Sequence, residues 1–152
     1  MLSRILSFGF NNTPIARFLN LKMSFRLVKN NTECTDKKTY ESIIKMKYTP
    51  DINNFVKGNI NGGIYSLLID NAAGFASMVN RNKPQFVVTN NLNVNYFHTA
   101  SEGELVAIGK IIKQGKKIDV CEASVYNNNI EIARGSGNFF ITNDIPKKYL
   151  QS

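Results

Sequence analysis

Apolar and polar residues alternate strictly in "LKMSFRLVK", with Leu21, Met23, Phe25 and Leu27 on one face and Lys22, Ser24 and Arg26 on the other. A period of two over that length marks a half-buried strand. The alternation returns in "TYESIIKMKY", after the polar loop "NNTECTDKK", and in four later segments: "FVVTNNLNVNYFH", "ELVAIGKIIKQ", "KIDVCEASVY" and "IEIARGSGNFFIT". Gly103, Gly115 and the run "YNNN" supply turns between these later segments. Between the second and third strands the period changes. Ile64, Leu67, Leu68, Ala72, Phe75, Ala76 and Val79 recur at spacings of three and four, which predicts one long helix. Residues 50–61 gather Pro, Asp, Asn and Gly and read as loop. Residues 3–19 hold two short helical stretches broken at Asn11 and Asn12, with Thr13 as cap and Pro14 as first helical residue of the second.

Six strands, one dominant helix and no strand–helix–strand alternation predict an antiparallel sheet of the α+β class. A twisted sheet around a single helix must approach it closely, and Gly62, Gly63, Ser66, Ala72, Ala73, Gly74, Ala76 and Ser77 give that helix a slim profile. The length, 152 residues, suits one domain with a real core, assigned to residues 21–152 and preceded by a helical segment over 1–20.

The net charge of +8 favours polyanionic partners without choosing among them. Nucleic acid ranks low, because no aromatic-basic stacking motif accompanies the charge. No apolar run approaches the ~20 residues needed to span a bilayer. Two cysteines, Cys34 and Cys121, make neither a disulfide framework nor a zinc site, which points to a reducing compartment. His98 is the single histidine, so histidine-rich metal sites are excluded and no metal is expected. The first acidic residue is Glu33, and Arg4, Arg17, Lys22, Arg26 and Lys29 precede it. This is the composition of an organelle leader, but also of a basic helix leading into the first strand, which the early onset of alternation favours. Cytoplasm and organelle matrix both remain open.

Three local motifs carry little chemistry. "GKIIKQGKK" places five residues between Gly109 and Gly115 and lacks the Ser or Thr of a phosphate loop. What remains is a basic turn, in the commoner case a solvated hairpin tip and otherwise a seat for phosphates. "GSG" at 135–137 lacks the spacing and context of a nucleophile elbow, so Ser136 is read as ordinary. Cys121 is read as a small core residue and His98 as lying at a site rim.

Asp70 is different, because it interrupts the small and apolar residues of the predicted helix. An unpaired buried carboxylate is costly, so Asp70 faces solvent, belongs to a polar network, or has a function. At the start of the same helix stands "NGG", residues 61–63. The first N–H groups of a helix lack internal partners, and a Gly-Gly start lets a ligand oxygen approach them, as in an oxyanion hole. Gly62 and Asp70 are eight residues apart, about 12 Å of helix at ~1.5 Å per residue. A side chain cannot close that gap. Cooperation between them requires Asp70 of one subunit to meet Gly62 of another across a two-fold axis.

The run "GNINGGIYSLLIDNAAGFAS", with "NLNVNYFHTA", "GKIIKQGKKIDVCEASVYNNN" and "IARGSGNFF", resembles the small hotdog-fold acyl-CoA thioesterases of the phenylacetic-acid-degradation type over roughly residues 15–142. The resemblance implies a curved, six-stranded antiparallel sheet wrapped around one long central helix, in a homodimer with shared active sites or a dimer of dimers. It further implies that the Gly62 N–H polarises the thioester carbonyl and that Asp70 of the partner acts as general base or nucleophile. Thr89 falls where a hydroxyl orients the attacking water. Tyr96, Phe97, His98 and Thr99, and the turn Lys113, Gln114, Gly115, Lys116, Lys117 and Ile118, match segments lining the coenzyme A groove. Asn54, Gly63 and Asn91 complete the expected substrate contacts. Coenzyme A enters as part of the substrate, and no separate cofactor is implied.

Two positions depart from the family pattern. Asn61 replaces the usual His before the glycines; it can donate to a carbonyl but cannot titrate. Phe55 stands where relatives have Asn, with Asn53 and Asn54 close by. The expected activity is hydrolysis of a fatty or aryl acyl-CoA to free acid and coenzyme A. The missing His keeps a non-catalytic acyl-CoA or lipid-binding protein as the alternative, whereas a dehydratase would need a His base on the helix. The acyl tunnel is expected to involve Ile64, Leu67, Phe75 and Met78.

Overall fold

The computed structural model describes residues 2–29, 38–54, 58–83 and 85–145. Cys34, its loop and Phe55 lie outside the described residues. Helices α1 (Leu2–Asn11) and α2 (Pro14–Phe18) are followed by strands β1 (Lys22–Lys29) and β2 (Lys38–Lys47). The long helix α3 (Gly62–Val79) precedes β3 (Gln85–Tyr96), β4 (Glu104–Lys113), β5 (Ile118–Asn127) and β6 (Ile130–Asp144). The expected elements form nearly to the residue. The described residues of the expected loop hold two regular features: Pro50–Ile52 makes a 3-10 turn, and Asn53 bridges Ile60.

The strands form one six-stranded sheet in the order β1-β2-β4-β5-β6-β3, and every neighbouring pair is antiparallel. This is the hotdog arrangement, with α3 packed against the sheet's concave face. Alternation explains which side chains point inward. Asp119, Cys121, Ala123 and Val125 of β5 are buried and their sequence neighbours are less so. Thr13 caps α2 as its sequence predicts, its Oγ1 accepting from the Ala16 N–H, with Pro14 as first helical residue.

Close approach of helix and sheet depends on the sheet as much as on the helix. A Cβ at Gly109 of β4 would lie 2.2 Å from the Ala72 carbonyl oxygen, so only glycine fits there. The Ser42 hydroxyl donates to that same oxygen. Gly109 is therefore a packing residue of the helix seat.

The helix face on the sheet differs in part from the expected one. Tyr65, Leu68, Ile69, Ala72, Ala73 and Ala76 are buried, whereas Ile64, Leu67 and Phe75 are only half-buried. α3 is apolar almost all round, and such a helix is normally covered on both sides. A flanking stripe, with Gly62, Ser66 and Asp70, is only half-buried in one chain. β3 is likewise a long edge strand, with no strand on its outer side among the described residues.

Candidate active site

β3 contains a bulge. Thr89 pairs with Phe139 and Asn91 with Asn138, so Asn90 is the extra residue. Before the bulge Val87 faces the helix; after it Leu92 and Val94 do, so the inward parity switches. Bulges re-aim neighbouring side chains, and here Thr89 is directed at α3. Its Oγ1 donates to Asp70 Oδ1 at 2.6 Å. Asp70 Oδ2 has no protein partner among the described residues.

Beside this pair opens a cavity of about 540 Å³. Phe75, Met78, Val87 and Phe139 line it from α3 and the sheet, and Ile5, Leu6, Gly9 and Phe10 from α1. Of the four tunnel residues expected from sequence, Phe75 and Met78 are present. Ile64 and Leu67 do not line it, because they lie about a turn or more nearer the N-terminus of α3 than the residues that do.

A second group gathers at the start of α3. Asn61 is the N-cap, its Oδ1 accepting from the Gly63 N–H at 2.8 Å. Gly63 therefore has no free N–H for a ligand, and the Gly62 N–H alone stays unbonded among the two glycines and the described residues. A Cβ at Gly62 would meet only the Tyr96 ring, at an ordinary 3.5 Å. Packing does not demand glycine there, unlike at Gly109. Tyr96 also shares a hydroxyl hydrogen bond with Ser66.

The strand end is fixed against this helix start. The Phe97 and His98 N–H groups both donate to the Ile132 carbonyl, and Ala100 N–H donates to the buried Tyr65 hydroxyl at 2.9 Å. Burial raises the Tyr65 pKa above its ordinary value, so the phenol stays neutral. Ile60 N–H in turn bonds the Ala100 carbonyl. Asn61, Gly62, Tyr96, Phe97, His98 and Thr99 thus share one end of the molecule. β3 ends at Tyr96, so His98 lies just beyond the strand, on the surface. Asn54 N–H bonds Asn59, and Asn53 Oδ1 is buried without a partner among the described residues.

The basic turn is at the other end. Gln114 Nε2 donates to the Asn80 carbonyl just past α3, and Gln114, Gly115 and Lys116 border a hollow with Arg81, Lys83 and Gln85. Lys113, Lys117 and Ile118 are exposed on the same hairpin. Eighteen residues of α3 separate the two ends, roughly 27 Å at ~1.5 Å per residue. Within one chain the two expected coenzyme A segments are not brought together. Asn91 sits between them, exposed on β3 and accepting from Asn93.

Asp119, on the inward face of β5, was not singled out by sequence reasoning. It is fully buried, and it accepts from Ser77 Oγ at 2.6 Å, Arg81 Nη1 at 2.9 and 3.0 Å, and Gly115 N–H at 2.9 Å. The signal available was a carboxylate in phase with buried Cys121 and Ala123. Burial, helped by the neighbouring Asp119 charge, pushes the Cys121 thiol up to about 12. Among the described residues no group of three or more His, Cys, Asp or Glu could hold a metal ion, and no helix is long and apolar enough to cross a membrane.

A family model described as "Thioesterase superfamily" matches residues 57–133, just over half of the chain, and spans α3, both site regions and the basic turn. The chain belongs to the thioesterase superfamily. A Halobacterium salinarum protein, provisionally named an esterase, is 34% identical over 97 residues, covering 58% of this chain and 64% of its own length. This chain thus spans under two thirds of that relative. Among solved structures, a Haemophilus influenzae thioesterase superposes with a TM-score of 0.75 at 14% identity, over 94% of this chain and 92% of its own. The Escherichia coli PaaI protein from the phenylacetic acid degradation operon gives 0.72 at 17%, over 95% and 98%. At such identities these structures establish the hotdog fold, which the superfamily match establishes independently.

Proposed function

We propose that this chain is an acyl-CoA thioesterase that acts as a homodimer with two shared sites and forms a free acid and coenzyme A. Membership of the superfamily supports thioester hydrolysis in general. The observation that carries the finer reading is Asp70: a carboxylate on the half-buried stripe of α3, gripped through one oxygen by Thr89, with its other oxygen unspent beside an apolar cavity.

A two-fold axis passing near Ser66, midway between Gly62 and Asp70, would bring each Gly62 to the partner subunit's Asp70. The half-buried stripe of α3 and the edge of β3, unpaired among the described residues, both favour such an axis, since a long exposed edge strand normally finds a cover. The Gly62 N–H then polarises the carbonyl, a contribution of roughly 3 to 4 kcal/mol where single donors of this kind are removed. Asn61, whose Oδ1 is spent on the cap, has its amide N–H left for the same oxygen. Asp70 takes a proton from water as the water attacks; the C–S bond breaks, and the leaving thiolate receives the proton. Direct attack by Asp70 would use the same contacts. The lysine turn of the partner, ten residues of helix beyond the partner subunit's Asp70, is the nearer seat for the phosphates of coenzyme A.

Thiol release from a panel of acyl-CoAs tests this reading. Asp70→Asn should lower kcat by about 10²-fold or more, the ordinary worth of a positioned base, and Thr89→Val by less. Equal turnover by wild type and Asp70→Asn would refute the mechanism. Absence of turnover in wild type, with retained acyl-CoA affinity, would establish the binding protein instead.

A further inference from the structure

The cavity beside Asp70 owes one wall to α1. Leu6 anchors that helix among Met78, Val79 and Ile145, and Phe10 anchors it edge-on to Phe75, with ring centroids 5.2 Å apart. Between the anchors lies Gly9, in the last turn of α1, where most residues form a helix more readily than glycine. Neither backbone nor packing calls for it. Gly9 is not among the positive-φ glycines, and a Cβ built there finds no atom within 4 Å. Gly9 is exposed and lines the cavity on its α1 side, so a longer side chain there has room to cover it.

Resting on the thioesterase reading, we infer that this cavity seats an unbranched aliphatic acyl chain, and that Gly9 is a specificity-determining residue that keeps the passage along α1 open to its methylenes. The polar groups of the lining, Asp70, Asn71, Thr13 and Thr89, leave no side-chain donor or acceptor among Leu6, Met78 and Ile145 for the hydroxyl of a polar aryl acid. The volume, about 540 Å³, falls within the range of small-ligand pockets. Each methylene buried in such walls should raise affinity about fourfold until the cavity is full. On this reading α1 belongs to the substrate site, so removing it as a leader would remove a wall.

The test measures kcat/KM for saturated acyl-CoAs from acetyl to hexadecanoyl, and affinity for S-alkyl-CoA thioethers of matching lengths, which cannot be hydrolysed. Wild type should improve with length and then level off. Gly9→Leu, which fills the space with a good helix former, should level off several carbons earlier and lose at least tenfold on dodecanoyl-CoA, far more than on butanoyl-CoA. Gly9→Met provides a second, more flexible filling. An unchanged length profile in both variants, or an equal loss at every length, would overturn the inference while leaving thioester hydrolysis intact. Absence of turnover with a thioether series that still shortens in Gly9→Leu would uphold the cavity assignment and refute the enzyme.

Discussion

Replacing Asp119 by Asn tests whether the buried carboxylate holds the basic turn to the end of α3. The Asp119 side chain is 0% exposed and that of Arg81 12%, so the substitution leaves a nearly buried guanidinium without its countercharge. Breaking one side of a buried pair costs about 3 to 5 kcal/mol. Arg81 borders the hollow at the turn and can retreat partly into water, which argues for the lower end, about 3 kcal/mol. For a chain of this length that corresponds to a fall in Tm of roughly 10 °C. Urea unfolding followed by circular dichroism measures it. The turn should loosen as well, because the Gly115 N–H depends on the same carboxylate. KM should therefore rise for an acyl-CoA and stay constant for the matching acyl-pantetheine, which lacks the nucleotide phosphates. The double variant Asp119→Leu, Arg81→Met should recover much of the stability without recovering KM, since an apolar pair can replace a buried ionic one. A stability change under about 0.5 kcal/mol for Asp119→Asn would refute the reasoning, because no buried ion pair could be lost so cheaply.

The two kinds of glycine should separate cleanly. Gly109→Ala forces a methyl to within 2.2 Å of the Ala72 carbonyl and should destabilise the fold by at least about 1 to 3 kcal/mol, whereas Gly62→Ala should leave Tm within a few degrees and lower kcat/KM by crowding the N–H. Differential scanning calorimetry and steady-state kinetics distinguish the outcomes. Cys121 carries a pH signature: its folded pKa, near 12, lies above the ordinary 9.0, so the stability it confers is intact below pH 9 and is lost as pH rises toward 12. Urea midpoints from pH 8 to 11 should fall more steeply in wild type than in Cys121→Ala.

Period-two patterning made the strands legible because each has one buried and one open face. The bulge at Asn90 was not legible, since a run of polar residues around Asn90 and Asn91 hides the change of parity that turns Thr89 toward Asp70. Which face of α3 meets the sheet was only half legible. Apolar residues surround that helix, so spacing alone does not separate Tyr65 and Ile69, which are fully buried, from Ile64 and Leu67, which pack at the edge of the core and stay half-buried. The resemblance grouped Tyr96–Thr99 with Lys113–Ile118, yet strand order sets them at opposite ends of α3. Motif adjacency in sequence carries no such distance. The part played by α1 was hidden for another reason, because a short basic helix reads alike as leader and as cavity wall.

Two carboxylates interrupt apolar patterns in this chain, and what separates them is how much of their hydrogen-bonding capacity is spent. An ionised carboxylate offers about four acceptor positions. Asp119 fills its positions with Ser77, Arg81 and Gly115, so no water or substrate can reach it, and its work is structural. Asp70 receives one hydroxyl and stays half-buried at the lining of the cavity. Its second oxygen has no partner among the described residues, and eight residues of helix keep Gly62 of the same chain from sharing a substrate with it. The unspent oxygen, the unbonded Gly62 N–H and the edge of β3 lie on partly exposed parts of the same subunit. In the proposed dimer one two-fold contact would satisfy the edge strand and complete two sites at once, so a substitution that breaks that contact should abolish dimer and turnover together.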